Sequence, residues 1–335
     1  MPVDKIESAT LTERALWFEA PGRAALRPAV LSPLGAGQAR VRTLFSGISR
    51  GTERLVFTGK APPSEHARMR CPMQEGEFSF PVKYGYCAVG VVEEGPAELV
   101  GRHVFALHPH QSGFVADAAQ LRALPDGLPP RRAVLGANME TALNALWDCG
   151  AGPGDRIVIV GAGVVGMLTA YLAARLPGAD VTLVDLEPSR AQIAASIGVP
   201  FERADAFAAQ GCAEADVVFH ASVSAGGLAL AIGSAGMEAS IVEMSWYGEG
   251  AVAAPLGGPF HSKRLRLIST QVGQISPSRR PRGDYARRMG KAMEVLRDER
   301  LDALLDVEVA FEDLPARAEE IFAPGVKGLG VVVRY

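Results

Sequence analysis

The chain has 335 residues, room for two domains of ordinary size, and its 48% hydrophobic and 21% charged content is that of a globular protein. A net charge of −3 gives no whole-chain attraction to nucleic acid or to an anionic membrane, and no apolar run reaches the length of a membrane span. The opening residues, MPVDKIESATLTER, lack the apolar core of a signal peptide, and Cys71, Cys87, Cys149 and Cys212 lie far apart without a C-x-x-C pair, so reduced thiols in a cytoplasmic protein are expected.

Residues 14–125 read as β-rich. Ala15–Phe18 and Ala24–Arg27 flank a turn at Pro21-Gly22, and Ala39–Phe45 alternates partly before Ser46-Gly47. Val82–Glu93, His103–Leu107 and Phe114–Ala118 are further predicted strands. A loop is predicted from Ile48 to about Phe80, and loops of that length often lie beside a site. The glycine and proline punctuation suits a small closed β-fold. Residues 129–149 read as helical, opened by Pro129-Pro130 and broken by the glycine-rich run from Gly150 to Gly154.

The stretch Ile157–Asp185 is the most informative. Ile157–Val160 is β-branched throughout without alternation, as a strand buried on both faces requires. Gly161, Gly163 and Gly166 follow at G-x-G-x-x-G spacing and open a predicted helix from Val164 and Val165 to Leu176. A second β-branched run, Val181–Val184, ends in Asp185. Gly161 permits a tight turn, Gly163 lets a pyrophosphate approach the backbone, and Gly166 lets helix and strand pack closely. The helix start offers free N–H groups to phosphate. Asp185 can accept hydrogen bonds from a ribose diol and would repel a 2′-phosphate, so the pattern points to NAD(H) rather than NADP(H).

Beyond Asp185 the α/β alternation continues. Arg190–Ile197 and Gly226–Ile232 are predicted helices, and Asp216–His220, Ser240–Trp246 and Leu265–Thr270 are predicted strands. Tyr285–Arg297 follows as a helix of mixed charge and Lys327–Arg334 as a closing strand. Alternation from about 155 to 275 implies a parallel sheet wrapped by helices. Val331–Val333 then needs a sheet to bury it, so the tail is expected to return to the β-rich part.

The pattern resembles the medium-chain dehydrogenase/reductase superfamily, with its alcohol dehydrogenase-like fold. The likeness is carried by Ser46–Glu53 (SGISRGTE), Gly85–Gly90 (GYCAVG), Gly101–Phe105 (GRHVF), the Gly161 turn and the final KGLGVV strand. It implies an α/β fold class in which a GroES-like β-barrel domain (1–125, completed by 276–335) accompanies a Rossmann doubly wound domain (126–275), with the catalytic cleft between them. It also implies a nicotinamide cofactor, a small-molecule substrate and a homodimer formed near Leu265–Thr270, with no nucleic-acid or membrane partner. Within the superfamily, SGISRGTE followed by Phe57-Thr58-Gly59 is similar to the branch that contains the hydroxyethyl-bacteriochlorophyllide dehydrogenase of pigment synthesis.

The departures from that family are as informative. Zinc-dependent members carry a cysteine where this chain has Ser49, a His-Glu pair where it has Tyr86-Cys87, and a third ligand near Ala137. Serine, tyrosine and alanine do not make the three-ligand set of a catalytic zinc, so a zinc-free member is expected. Tyr86, aimed at the space a zinc would fill, is then the candidate hydrogen-bond donor or general acid, with an aromatic plug as its alternative. Ser49 could donate a second hydrogen bond, and Glu53 could hold a donor in place, shuttle a proton or lie solvated at the surface. Arg50 is placed by the resemblance on the cofactor pyrophosphate, and Thr141 beside the nicotinamide. Ser222 and Ser245 fall at strand ends where the cofactor crevice of an open α/β sheet lies. His108-Pro109-His110 is a close histidine pair without an evident third ligand, read as solvated or hydrogen-bonded. The basic run from Lys263 to Arg300 reads as a solvated face. An NAD(H)-dependent, zinc-independent oxidoreductase is the leading expectation. The alternatives are a catalytically silent NAD(H)-binding sensor and a metal enzyme built on His108 and His110.

Overall fold

The computed structural model describes residues 12–326 and 328–335. The chain divides into two compact units. One holds the chain up to Leu124 together with Val309–Val326 and Val332–Tyr335, and the other runs from Pro125 to Glu308 with a short return ending at Val331.

The first unit is built on antiparallel strands. Thr12–Ala20 and Arg23–Val30 form a hairpin whose sheet continues through Val82–Lys83 to Glu75–Gly76. A second sheet runs in the order Val307–Ala310, Val331–Arg334, Gln38–Ile48, Ala88–Glu94, His103–Ala106 and Arg122–Ala123, with Gly113–Asp117 also paired to Gln38–Ile48. Alternate residues of these strands, among them Val41, Val92, Val104 and Phe114, turn inward to one core. The tail strand therefore lies beside Gln38–Ile48, which buries Val331, Val332 and Val333 completely or nearly so.

Two sequence expectations are corrected here. Residues 48–80 are not loop throughout, because Arg50–Phe57 is a helix. Its two turns are too short to show a period, yet it buries Leu55, Val56 and Phe57, with Phe57 packed on Phe18 at 5.3 Å and on Phe322 at 4.9 Å. Val82–Glu93 is likewise not one strand. Val82–Lys83 and Ala88–Glu94 belong to different sheets, and the irregular backbone of residues 84–87 between them carries Tyr86.

The second unit contains a parallel sheet in the order Phe201–Arg203, Asp180–Asp185, Arg156–Val160, Ala215–His220, Ala235–Glu243 and Arg266–Ser269. Numbered along the chain this is 3-2-1-4-5-6, the doubly wound order. The third strand and the helix Ala204–Ala209 behind it were not foreseen, since Phe-Glu-Arg shows no apolar run. Strand Ala235–Glu243 starts earlier than expected, leaving Trp246 beyond its end. Residues 276–308, expected with the barrel, group with this unit instead. Among the contacts that hold them are those of Arg288 on helix Tyr285–Val295, which is 1% exposed and donates to Glu140 Oε1 at 3.0 Å and to the carbonyls of Val272 and Gln274. A buried guanidinium needs such a complete set of acceptors, and helix Gly136–Cys149 and its neighbours supply it. Among the described residues no helix is long and apolar enough to cross a membrane.

The turn after Arg156–Val160 depends on two missing side chains. Gly161 has φ +111°, and a Cβ there would lie 2.7 Å from the Ser222 nitrogen. At Gly166 a Cβ would lie 1.8 Å from the Gly161 carbonyl oxygen, whereas Gly163 has nothing within 4 Å. Gly166→Ala is therefore expected to lower the unfolding free energy by about 3 kcal/mol, and Gly163→Ala to change it by less than about 0.5 kcal/mol. Urea denaturation of the two variants beside wild type checks the pair, and equal effects would contradict the packing account.

Candidate functional site

Each unit carries a cluster of polar side chains with its own geometry. In the second unit the strand order reverses between Arg156–Val160 and Ala215–His220. In open α/β sheets a ligand crevice forms outside the strand ends at that point. Here Gly161 packs on Ala221 and Ser222, and Gly163, exposed and with open space at its Cα, precedes helix Val164–Ala173. Val164 and Val165 begin that helix half-buried, so its first N–H groups lie at the crevice. Asp185, at the end of the second strand, accepts from Ala162 N at 2.6 Å and from Glu187 N at 2.8 Å. The first bond braces the glycine turn against the strand, and a carboxylate with about four acceptor sites keeps two for a diol.

Ser222 and Ser245 both stand at this crevice edge, but their hydroxyls are engaged. Ser222 Oγ lies 2.6 Å from His220 Nε2, and Ser245 Oγ accepts from Val223 N at 3.2 Å. Thr141 is also partly committed, donating back to the Ala137 carbonyl of its own helix at 2.9 Å. Glu140, on the same helix, pairs with the buried Arg288.

In the first unit Ser49 and Thr52 come together at Tyr86. Ser49 is the N-cap residue of helix Arg50–Phe57, yet its side chain does not cap it. Ser49 and Thr52 hydrogen-bond to the Tyr86 hydroxyl. Burial, with the neighbouring Cys87 and Glu53, nevertheless holds the phenol well above its ordinary range, so Tyr86 is a protonated donor at every physiological pH. Tyr86 keeps some exposure, while Tyr84 beside it packs edge-on at 6.0 Å and is buried. Thr52 carries no motif signal in the sequence and was not foreseen. Arg50 begins the helix, half-buried.

Glu53 corrects one alternative, because it is fully buried and not a surface group. Its Oε1 accepts from Ser49 N at 2.7 Å, and its Oε2 lies 2.9 Å from His110 Nε2. His110 Nδ1 contacts Ser46 Oγ at 2.7 Å, and Ser46 contacts the Tyr335 hydroxyl at 3.0 Å. Glu53 thus fixes the backbone of Ser49 from inside the fold. His108 goes elsewhere, with its ring stacked on Phe114 at 3.9 Å and its Nδ1 against the Pro109 carbonyl. The two histidines therefore do not converge as a metal pair.

The donor set can be tested against zinc directly. Among the described residues no group of three or more His, Cys, Asp or Glu side chains is placed to hold a metal ion. Burial pushes the Cys71 thiol up to about 12. Hydroxyls of Ser49 and Tyr86 with a buried, committed Glu53 do not fit the coordination of a catalytic zinc.

Comparison with known proteins gives the fold its context. No protein-family model matches the chain. A curated relative, an uncharacterized zinc-type alcohol dehydrogenase-like protein of Haemophilus influenzae, is 39% identical over 79 residues, which is 24% of this chain and only 23% of that protein. The chain therefore spans less than a quarter of that relative's length. Among solved structures, a proposed zinc-binding dehydrogenase of Sinorhizobium meliloti with NADP bound superposes with a TM-score of 0.76 at 18% identity, over 97% of this chain and 100% of that one. An alcohol dehydrogenase of Escherichia coli CFT073 complexed with NADH matches with a TM-score of 0.75 at 16% identity, over 97% and 99%. The chain has the α/β fold of these dehydrogenases.

Burial pushes the His108 ring down to about 3. The folded value lies below the unfolded one of about 6.5, so the contribution of the neutral ring is complete above pH 6.5 and is lost as pH falls toward 3. Unfolding free energy should drop by about 1 kcal/mol per pH unit on this account between pH 6 and 4. His108→Phe, which keeps the stack on Phe114, should remove that slope, and chemical denaturation at several pH values would show an unchanged slope if the ring were not the cause.

Proposed function

We propose that the chain is an oxidoreductase that works with a nicotinamide dinucleotide on an alcohol/carbonyl pair, without a catalytic zinc. The observation that carries this reading is the glycine turn at the strand reversal, where Gly163 leaves the start of helix Val164–Ala173 open to a diphosphate. Gly161, Gly163, Val164, Val165 and Gly166 would hold the diphosphate, and Asp185 the adenosine ribose. The carboxylate of Asp185 favours NAD(H), because a 2′-phosphate beside it would be repelled. Both NADP and NADH occur in dehydrogenases of this fold. Arg50, Thr141, Ser222 and Ser245 are assigned as further cofactor contacts.

A bound nicotinamide would supply or accept the hydride. The protein must then stabilise charge that develops on the substrate oxygen. Tyr86 meets that need as a phenol kept protonated by burial, with its hydroxyl oriented by Ser49 and Thr52. It would stabilise the substrate oxygen by donating a hydrogen bond in either direction while staying protonated, and the proton that joins or leaves that oxygen would be exchanged with water. Glu53 is a positioning residue, since it holds Ser49 and has no oxygen left facing outward. The donor set at Ser49 and Tyr86 supports the metal-free assignment. Reduction of an activated alkene is chemically accessible to the same pair of groups. The local likeness of residues 46–59 to the bacteriochlorophyllide branch supports a lineage and names no substrate.

The test uses protein dialysed against chelator, with its zinc content measured, assayed by NADH oxidation over a panel of aldehydes, ketones and enones. Turnover should persist in zinc-free protein, and activity that disappears with zinc and returns on its addition would refute the metal-free reading. Tight NADH binding without turnover on any substrate would favour the silent sensor. Tyr86→Phe should lower kcat about a hundredfold while leaving the NADH Kd within about threefold. A kcat near wild type would remove Tyr86 from the chemistry.

A further inference from the structure

We propose that His220 is a positioning residue for the dinucleotide crevice: clamped by Glu243, it holds Ser222 in place, and Ser222 is the backbone against which the glycine turn closes. The inference rests on the reading of that crevice as a nicotinamide dinucleotide site. His220 ends the strand Ala215–His220, in register with Val160 on one side and Glu243 on the other, and it is 0% exposed. Its Nδ1 lies 2.8 Å from Glu243 Oε2 and its Nε2 2.6 Å from Ser222 Oγ. Ser222 Oγ in turn lies 2.9 Å from Ser224 Oγ, which accepts from Gly227 N at 3.0 Å as the cap of helix Ala225–Ser234. Glu243 is fixed independently, by Ser245 N at 2.8 Å and by the Tyr247 hydroxyl at 3.0 Å.

With the imidazole neutral these contacts allow one direction only. A carboxylate can only accept, so Nδ1 carries the proton and Nε2 must accept from the Ser222 hydroxyl. Ser222 Oγ is then left to accept from Ser224, whose own oxygen takes the Gly227 N–H. The donors run from the helix start inward and end on Glu243, so each bond orients the next. The chain acts on the glycine turn because the Ser222 nitrogen and Cα are where a Gly161 side chain would be, at 2.7 and 2.9 Å. A shift of Ser222 is thus a shift of the surface that shapes the diphosphate cradle.

Ser222, His220 and Glu243 also have the order of a nucleophilic triad. Packing argues against that role. A Cβ at Gly227 would stand 2.0 Å from Ser222 Oγ and 2.9 Å from His220 Nε2. The hydroxyl is thus held against the helix start, donating to His220 and accepting from Ser224. The group seats a helix and does not attack.

The experiment is amide hydrogen exchange on the full-length protein without nucleotide, for wild type, His220→Phe, Ser222→Ala and Glu243→Gln. Peptides covering residues 161–166 should exchange at least tenfold faster in His220→Phe and Ser222→Ala, while peptides from strand His103–Ala106 stay unchanged. Glu243→Gln, whose amide oxygen can still accept from His220 but whose NH2 then meets the Ser245 N–H, should fall between wild type and those two variants. The NADH Kd should rise about tenfold in the first two variants and less in the third. Ser222→Ala leaves the Glu243–His220 pair intact and serves as the readout should His220→Phe misfold. Unchanged exchange at 161–166 in Ser222→Ala, or covalent labelling of Ser222 by a fluorophosphonate, would overturn the proposal. A wild type that binds no NADH would instead refute the cofactor reading, and the exchange result would still decide the role of His220 in seating the turn.

Discussion

The Gly161 carbonyl oxygen stands where a side chain on Gly166 would begin, 1.8 Å from that position. The approach is possible only because residue 166 is a glycine, and much of the second unit follows from it. Helix Val164–Ala173 can close on strand Arg156–Val160, its first N–H groups arrive at the end of the sheet, and the chain leaves room above Gly163. The same turn presses on Ala221 and Ser222, the first residues after the neighbouring strand across the strand-order reversal. Backbone from two crossovers is thus packed without intervening side chains, and an anion can meet N–H groups there with no side chain in the way.

A recurring device secures the polar clusters of both units. In the first, Glu53, His110 and Ser46 form a buried chain that ends at Tyr335 and fixes Ser49. In the second, Glu243, His220 and Ser222 form another that ends at a helix cap. In each, a carboxylate orients an imidazole, which orients a hydroxyl. Such chains are stable only when every member has a partner, and once complete they hold a site more rigidly than apolar packing does. Removing one member leaves a buried group unsatisfied, a loss of about 1–3 kcal/mol.

Much of the fold was legible in the sequence. The β-branched run Ile157–Val160, the glycines and Asp185 carry their signal locally, since each answers a backbone or ligand constraint within a few residues. What was missed depends on distant partners. Helix Arg50–Phe57 is held by aromatic contacts from Phe18 and Phe322, far away in sequence. The place of residues 276–308 is set by long-range contacts such as that of Arg288, whose burial in a charged helix has no periodic signature. For the site, Tyr86 and Ser49 could be singled out by the positions they occupy in a motif. The burial of Glu53 could not, because it is set by His110, 57 residues further on. Thr52 and the Glu243–His220 chain were equally hidden, being pairings across strands and turns rather than patterns along them.

The account stands most directly on where a dinucleotide binds. A crystal structure of the protein grown with NADH and without added metal should show the diphosphate over Gly163 at the start of helix Val164–Ala173, the adenosine ribose against Asp185, and no ion beside Ser49 and Tyr86. A crevice closed by protein side chains with the nucleotide absent, or a tetrahedral metal ion coordinated at Ser49 and Tyr86, would contradict it.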